Sequence, residues 1–239
     1  MHSQQFDRRG LWGTALFVAA VFAIVPLAAA QNPQLQQRLA DIKKAAAANK
    51  QSLARYTWQE QQTISIRGEV RKTELFQVHL GVDGTPQKTP LSNGPSSNTG
   101  GRRFKRRIEE KIAAEYEQYA QQIEALAQSY AQPDPQRFQQ SYDRGNVTLA
   151  SAGAPGEIRL MIKNYMKPND SVGIVFNQVQ KAILSLQISS YLDNPSDAVK
   201  ISAQFSKLPD GTNHVSSMAV NGVSKQLLIQ VQNTNYQKM

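Results

Sequence analysis

The longest regular pattern in the chain is a stripe of apolar residues between residues 104 and 131, recurring every three or four positions. This spacing places one apolar side chain on the same face at each turn and predicts a long amphipathic α-helix. Pro133 and Pro135 end the pattern, and a short helix is predicted around residues 136–142. We expect the stripe to pack on a sheet. It consists of Ile108, Ile112, Tyr116, Tyr119, Ile123, Leu126 and Tyr130.

In the segments before and after this helix, apolar and polar residues alternate, which predicts strands. Residues 56–82 alternate around Gly68 and predict a long antiparallel hairpin, preceded by a helix that starts at Asn32-Pro33. From Asn146 onward, short alternating segments are separated by turn sequences such as Pro209-Asp210-Gly211 and Asn221-Gly222. Strands at this spacing predict an antiparallel meander rather than a parallel α/β sheet.

Together these elements predict an α+β fold, in which a curved antiparallel β-sheet (a half-barrel) is covered by the long helix and one or two shorter helices. Residues 85–101 are polar and rich in Pro, Gly and Ser, and predict a flexible loop. Because few helices are available to cover the apolar face of the sheet, either the sheet curls until its face is filled or a cavity remains. The side chains expected to line such a cavity are Trp58, Phe76, Phe176, Leu186, Ile201, Phe205 and Ile229.

The first 30 residues have the pattern of a secretory signal peptide. Arg8 and Arg9 precede an apolar run from Leu11 to Leu27, and Ala28-Ala29-Ala30 gives the small-residue cleavage pattern. An uncleaved membrane anchor is the alternative, since the apolar run is almost long enough to span a bilayer. We expect cleavage after Ala30, which leaves residues 31–239 as a single secreted domain located in the periplasm.

Composition narrows the classes of function. The chain has 27 basic and 18 acidic residues, a net charge of +9, and removal of residues 1–30 lowers that charge to +8. A basic exported protein meets anionic lipids more readily than nucleic acid, so nucleic-acid binding is not expected. The chain has no cysteine, which excludes disulfides, thiol nucleophiles, thiolate metal ligands and a lipid-modified cysteine.

A run of basic residues stands at the predicted start of the long helix. Five positive charges at this position oppose the helix dipole, so helix formation gives no reason for them. They form either a solvated surface or a contact for an anionic partner, such as a transient contact with an anionic membrane surface. The run consists of Arg102, Arg103, Lys105, Arg106 and Arg107.

No catalytic motif is recognisable. After residue 30, the chain has two histidines, His79 and His214, on separate predicted strands, and it contains no HExxH motif, no G-x-S-x-G elbow and no phosphate-binding loop. We therefore expect no enzyme activity, no cofactor and no metal. A hydrolase that uses distant carboxylates is the third-ranked alternative.

Two segments carry a family resemblance: RYTWQEQQTISIRGEVRKTELFQVHLGVDGTPQKTPL at 55–91 and KQLLIQVQNTNYQKM at 225–239. In pattern and order, the chain resembles the periplasmic lipoprotein-carrier superfamily of LolA, LolB and RseB. The resemblance implies a half-open antiparallel barrel plugged by helices, with an apolar cavity for acyl chains. We thus expect a monomeric periplasmic protein that binds a lipid, an acyl chain or an acylated protein. The alternative is a non-catalytic interaction module of the envelope, with the helical stripe or a sheet edge as its interface.

Overall fold

A computed structural model describes residues 37, 44, 45, 47–82, 84–92, 103–131 and 134–239. The predicted signal peptide, its cleavage site and Arg102 lie outside these residues. A helix, α1, is formed by residues 47–53, and the longer helices are α2 (Arg103–Ala131) and α3 (Pro135–Asp143). In this described part of the chain, no helix is long and apolar enough to cross a membrane.

Within the same residues, ten strands form one antiparallel sheet. The α+β class and the antiparallel sheet are therefore confirmed. The strands are β1 (Tyr56–Ile66), β2 (Glu69–Leu80), β3 (Pro86–Ser92), β4 (Val147–Ser151), β5 (Glu157–Lys163), β6 (Ser171–Asn177), β7 (Ala182–Tyr191), β8 (Ala198–Lys207), β9 (Asn213–Gly222) and β10 (Leu227–Lys238).

The strand order is β3-β2-β1-β10-β9-β8-β7-β6-β5-β4. Strands β4 to β10 form the predicted meander, and β10 then pairs with β1, with Ile229 opposite Ile64. The N-terminal hairpin is thereby joined to the meander in the middle of the sheet. Strands β3 and β4 are the two edges.

The prediction of a loop over residues 85–101 is wrong for its first part. Residues Pro86–Ser92 form β3, which pairs with β2 and places Pro90 opposite Phe76. An edge strand forms its ladder on one side only, so it tolerates proline wherever the backbone nitrogen faces away from its neighbour. Residues 93–101 of the predicted loop lie outside the described residues.

The predicted turn at Asn221-Gly222 is also wrong, because both residues belong to β9. The chain turns instead between Gly222 and Leu227. A glycine is needed inside the strand because α2 crosses there. A Cβ atom on Gly222 would lie 2.6 Å from Tyr119 Cε1 and would also overlap Ile123 Cδ1.

The long helix predicted at 104–131 is α2, which starts one residue earlier. Its side chains Tyr119, Ile123, Leu126 and Tyr130 are buried in the main apolar core. This part of the stripe is therefore internal and is not free to serve as an interface. Asp134 caps α3 by accepting hydrogen bonds from Gln136 N (2.9 Å) and Arg137 N (3.3 Å).

Hydrogen bonds fix both ends of the buried part of α2. Near one end, the Tyr119 hydroxyl is 2.9 Å from Ser224 Oγ, in the turn between β9 and β10. At the other end, the Tyr130 hydroxyl donates to Asp170 Oδ2 (2.5 Å) and lies 2.8 Å from Ser190 Oγ. The helix thus crosses the ends of several strands.

The core consists of two apolar clusters on one face of the sheet, here called the inner face. The larger cluster joins α2 and α3 to the inner residues of β1 and of β5 to β10. The smaller cluster joins α1 to β1 and β2 through Leu53, Trp58, Phe76, Val78 and Leu80.

Candidate ligand-binding face

The seven residues predicted to line a cavity all lie on the inner face. Residues that are paired across antiparallel strands point to the same side of the sheet. Ile201 is opposite Val220, Val220 is opposite Ile229, and Ile229 is opposite Ile64. Three further pairs are directly opposite each other across neighbouring strands: Leu186 and Ala203, Phe176 and Ile158, and Phe76 and Glu60. Their contact with a ligand stays a prediction.

These residues are divided between the two clusters. Trp58 and Phe76 belong to the smaller cluster. The larger cluster contains Phe176, Leu186, Ile201 and Ile229, with Phe205 half-buried against it. The inner face therefore has two apolar regions.

Polar residues separate the two regions along β1. Between Trp58 and Ile64, the inner positions of this strand are Glu60 and Gln62, which are only 7% and 8% exposed. Glu60 is opposite Asn233 on β10, and Gln62 is opposite Glu74 on β2. These four residues and Lys88 of β3, whose ammonium pairs with the Glu60 carboxylate, are here called the polar strip.

Several buried polar atoms at the polar strip lack a hydrogen-bond partner within the described structure. An unsatisfied buried donor or acceptor costs about 1–3 kcal/mol, and native proteins contain few of them. Ordered water or a polar group of a ligand can satisfy such atoms. The atoms are Trp58 Nε1, Gln62 Oε1, Glu74 Oε2 and Asn233 Oδ1, with His214 Nδ1 close by.

An aromatic group borders the strip. The Trp58 ring stacks on Tyr236 with 5.5 Å between centroids, and the His214 ring is 4.2 Å from Tyr236. Burial raises the pKa of Tyr236, with a smaller contribution from the Glu60 charge, and burial lowers the pKa of His214. Both rings are therefore neutral near pH 7.

The charged and polar groups of the strip are held in place by specific contacts. Lys88 is 5% exposed, and its ammonium lies 5.5 Å from the centroid of the Phe76 ring. Asn233 Nδ2 donates to Val215 O (2.9 Å), which fixes the amide so that Oδ1 is the free acceptor. Glu74 pairs with Lys72 at 2.9 Å through Oε1, and its Oε2 has no hydrogen-bond partner in the described structure.

The polar strip was not predicted, although the sequence contains one signal for it. In β1 the apolar positions Trp58 and Ile64 have the same parity as Glu60 and Gln62. Because successive side chains of a strand point to opposite faces, this shared parity places Glu60 and Gln62 on the buried face. The positions of Glu74, Lys88 and Asn233 depend on strand register and had no local signal.

The basic run is placed only in part. The first two turns of α2 contain four of its residues: Arg103, Lys105, Arg106 and Arg107. The first turn has no acidic residue. Glu109 and Glu110 lie in the second turn. The anionic contact of the run stays a prediction.

The structure brings together no metal site among the residues it describes: no group of three or more His, Asp or Glu side chains could hold an ion. His79 is exposed on β2, whereas His214 is buried beside Tyr236. The two histidines therefore differ in environment, and neither joins a cluster of acidic groups.

Two pockets in the described part of the chain lie at strand ends. One, of about 470 Å³, is lined by residues 149–151, 153–158 and 178, around the turn between β4 and β5. The other, of about 390 Å³, lies between α1 and the turns that precede β7 and β9. Neither of these pockets includes the seven predicted residues or the polar strip.

No protein-family model and no curated protein matches the chain. Among solved structures, it is similar to the LolA superfamily protein NE2245 from Nitrosomonas europaea, with 8% identity over 84% of this chain and 93% of that chain (TM-score 0.39). It is also similar to a DUF1329 family protein from Desulfovibrio piger, with 11% identity over 83% of this chain and 92% of that chain (TM-score 0.37).

Proposed function

We propose that the protein is an exported, non-catalytic carrier that binds a lipid, an acyl chain or a lipoprotein on the inner face of its sheet. The observation that carries this proposal is a strip of incompletely satisfied polar groups between two apolar regions. An amphipathic molecule has the complementary arrangement of a polar head beside an apolar chain. In this account, the sheet curves into a half-barrel, the helices cover it, and the protein works as a periplasmic monomer.

The energetics favour an acyl chain as the apolar part. Each buried methylene contributes about 0.8 kcal/mol, so a chain of about ten methylenes contributes about 8 kcal/mol before the costs of association. The apolar side chains of the inner face are buried against the helices, so in this account an acyl chain takes the place of part of that helix–sheet contact. Polar ligands without a chain would forgo this contribution.

The basic run provides a second, separate contact in the proposal. Replacing its five basic residues with glutamine is expected to weaken binding to phosphatidylglycerol vesicles by roughly tenfold or more, since each basic residue near an anionic surface contributes about 1 kcal/mol. Vesicle co-sedimentation at low salt measures the effect, with phosphatidylcholine vesicles as the neutral reference.

A charge-matched variant controls for net charge. It carries five glutamines at exposed basic positions elsewhere and is expected to bind the vesicles more tightly than the variant of the basic run. Equal weakening of both variants would show that only total charge matters. The control positions are Arg144, Arg159, Lys163, Lys181 and Lys200.

A further inference from the structure

We propose that the polar strip receives a head group that donates hydrogen bonds, such as an ammonium, an amide N–H or a hydroxyl, and that it disfavours an anionic head. The inference rests on the proposed function and specifies which ligands the inner face accepts. It follows from the kind of polar atoms that the strip leaves without partners.

The unpartnered atoms of the strip are mainly acceptors. Gln62 Oε1, Glu74 Oε2 and Asn233 Oδ1 are all oxygens, buried and without a hydrogen bond in the described structure. A carboxylate can only accept, and the Asn233 amide is oriented by its bond to Val215 O. The three oxygens can therefore accept hydrogen bonds from donors on a ligand.

Strand register places these acceptors close to one another. Gln62 is directly opposite Glu74, and Asn233 is directly opposite Glu60, two residues before Gln62. Side chains directly opposite in antiparallel strands have Cβ atoms about 5 Å apart, and diagonal neighbours about 7 Å. Gln62 on β1 therefore lies between the other two acceptors, which belong to the strands on either side of it. A head group with two donors can reach Gln62 Oε1 and one of these neighbours.

The charges of the strip also disfavour an anion. Lys88 is buried and already paired with Glu60, so its positive charge is compensated within the protein. An anionic head would instead face Glu74 Oε2 and two amide oxygens, which repel it and cannot donate a hydrogen bond. Because Glu74 is partly exposed and paired with Lys72, this repulsion is moderate. An ammonium or a neutral donor meets no such repulsion.

The donor Trp58 Nε1 complements this arrangement. It is buried at the border between the polar strip and the smaller apolar cluster, and it has no acceptor in the described structure. A carbonyl oxygen at the junction of head and chain would satisfy it. The strip thus fits an acylated molecule whose head carries N–H or O–H groups.

The test compares three probes that share one apolar chain: dodecylammonium and dodecanoate below their micelle concentrations, and dodecanol below its solubility limit. Isothermal titration calorimetry with the full chain at pH 7.5 measures their dissociation constants. We expect dodecylammonium and dodecanol to bind roughly tenfold more tightly than dodecanoate, the effect of one or two charge-sensitive hydrogen bonds.

Substitutions in the polar strip test which residues cause the preference for a donating head group. Gln62→Leu is expected to weaken dodecylammonium and dodecanol by about threefold to tenfold, whereas Glu74→Gln is expected to weaken dodecylammonium more than dodecanol. Gln61→Leu is the matched control, because Gln61 is exposed on the opposite face of the same strand. Thermal unfolding of each variant confirms that it is folded.

The outcomes separate the two proposals. If dodecanoate binds as tightly as the other probes, or if Gln62→Leu behaves like Gln61→Leu, the inner face binds chains but the inference about the head group is wrong. If none of the three probes binds, the proposed function itself fails and the inference fails with it.

Discussion

Replacing Gly222 with alanine is expected to lower the free energy of unfolding by about 3 kcal/mol, the upper range for overpacking a core. The added Cβ would lie 2.6 Å from Tyr119 Cε1 and would also overlap Ile123 Cδ1. Both side chains are almost fully buried, so they have little freedom to move aside. Urea unfolding followed by circular dichroism measures the change.

Gly173→Ala is the matched control, since Gly173 is also a glycine inside a strand. There an added Cβ would lie 3.2 Å from the terminal Cε of Met161, a flexible side chain that can shift. The free energy of unfolding is expected to change by less than about 1 kcal/mol. Equal destabilisation by the two substitutions would contradict the docking of α2 against β9.

Asp170→Ala is expected to lower the free energy of unfolding by about 4 kcal/mol, because several buried donors lose their acceptor together. The Asp170 carboxylate is 1% exposed and accepts hydrogen bonds from Tyr165 N (2.6 Å), Met166 N (2.8 Å) and Lys167 N (2.8 Å). It also accepts from the Tyr130 hydroxyl at 2.5 Å. Guanidinium unfolding measures the loss.

The control for this prediction is Asp193→Ala, at an exposed position between β7 and β8. Its effect is expected to be within about 0.5 kcal/mol, as for most surface substitutions. Burial and the hydrogen bond to Asp170 raise the pKa of Tyr130, so its hydroxyl stays protonated and able to donate up to strongly alkaline pH. If Asp170→Ala unfolds like Asp193→Ala, Asp170 does not anchor α2 to the sheet.

Periodicity predicted the elements whose environment repeats along the chain. The stripe of α2 and the alternation of β1, β2 and the meander have one buried face each, so spacing alone was sufficient. β3 was missed because Pro86 and Pro90 are turn-forming residues in most contexts and are tolerated here at a sheet edge. The end of β9 was missed because Gly222 is required by contact with a distant helix, which leaves no local signal.

The apolar part of the candidate site was more predictable than its polar part. Trp58, Ile201 and Ile229 are inner-face residues because their strands alternate, and register carries that alternation across the sheet. The polar strip brings together residues from four strands that are far apart in sequence, such as Glu60 and Asn233. Only the pairing of β1 with β10 makes them neighbours, and no local pattern encodes that pairing.

Native mass spectrometry tests the central claim, that the inner face binds an amphipathic molecule, most directly. The protein is purified without detergent from a host that exports it, and its bound molecules are then extracted with organic solvent. The account predicts an added mass that the extract identifies as a lipid or an acylated protein. A clean mass of the chain alone, with no uptake of added phospholipid or dodecanol, would contradict it.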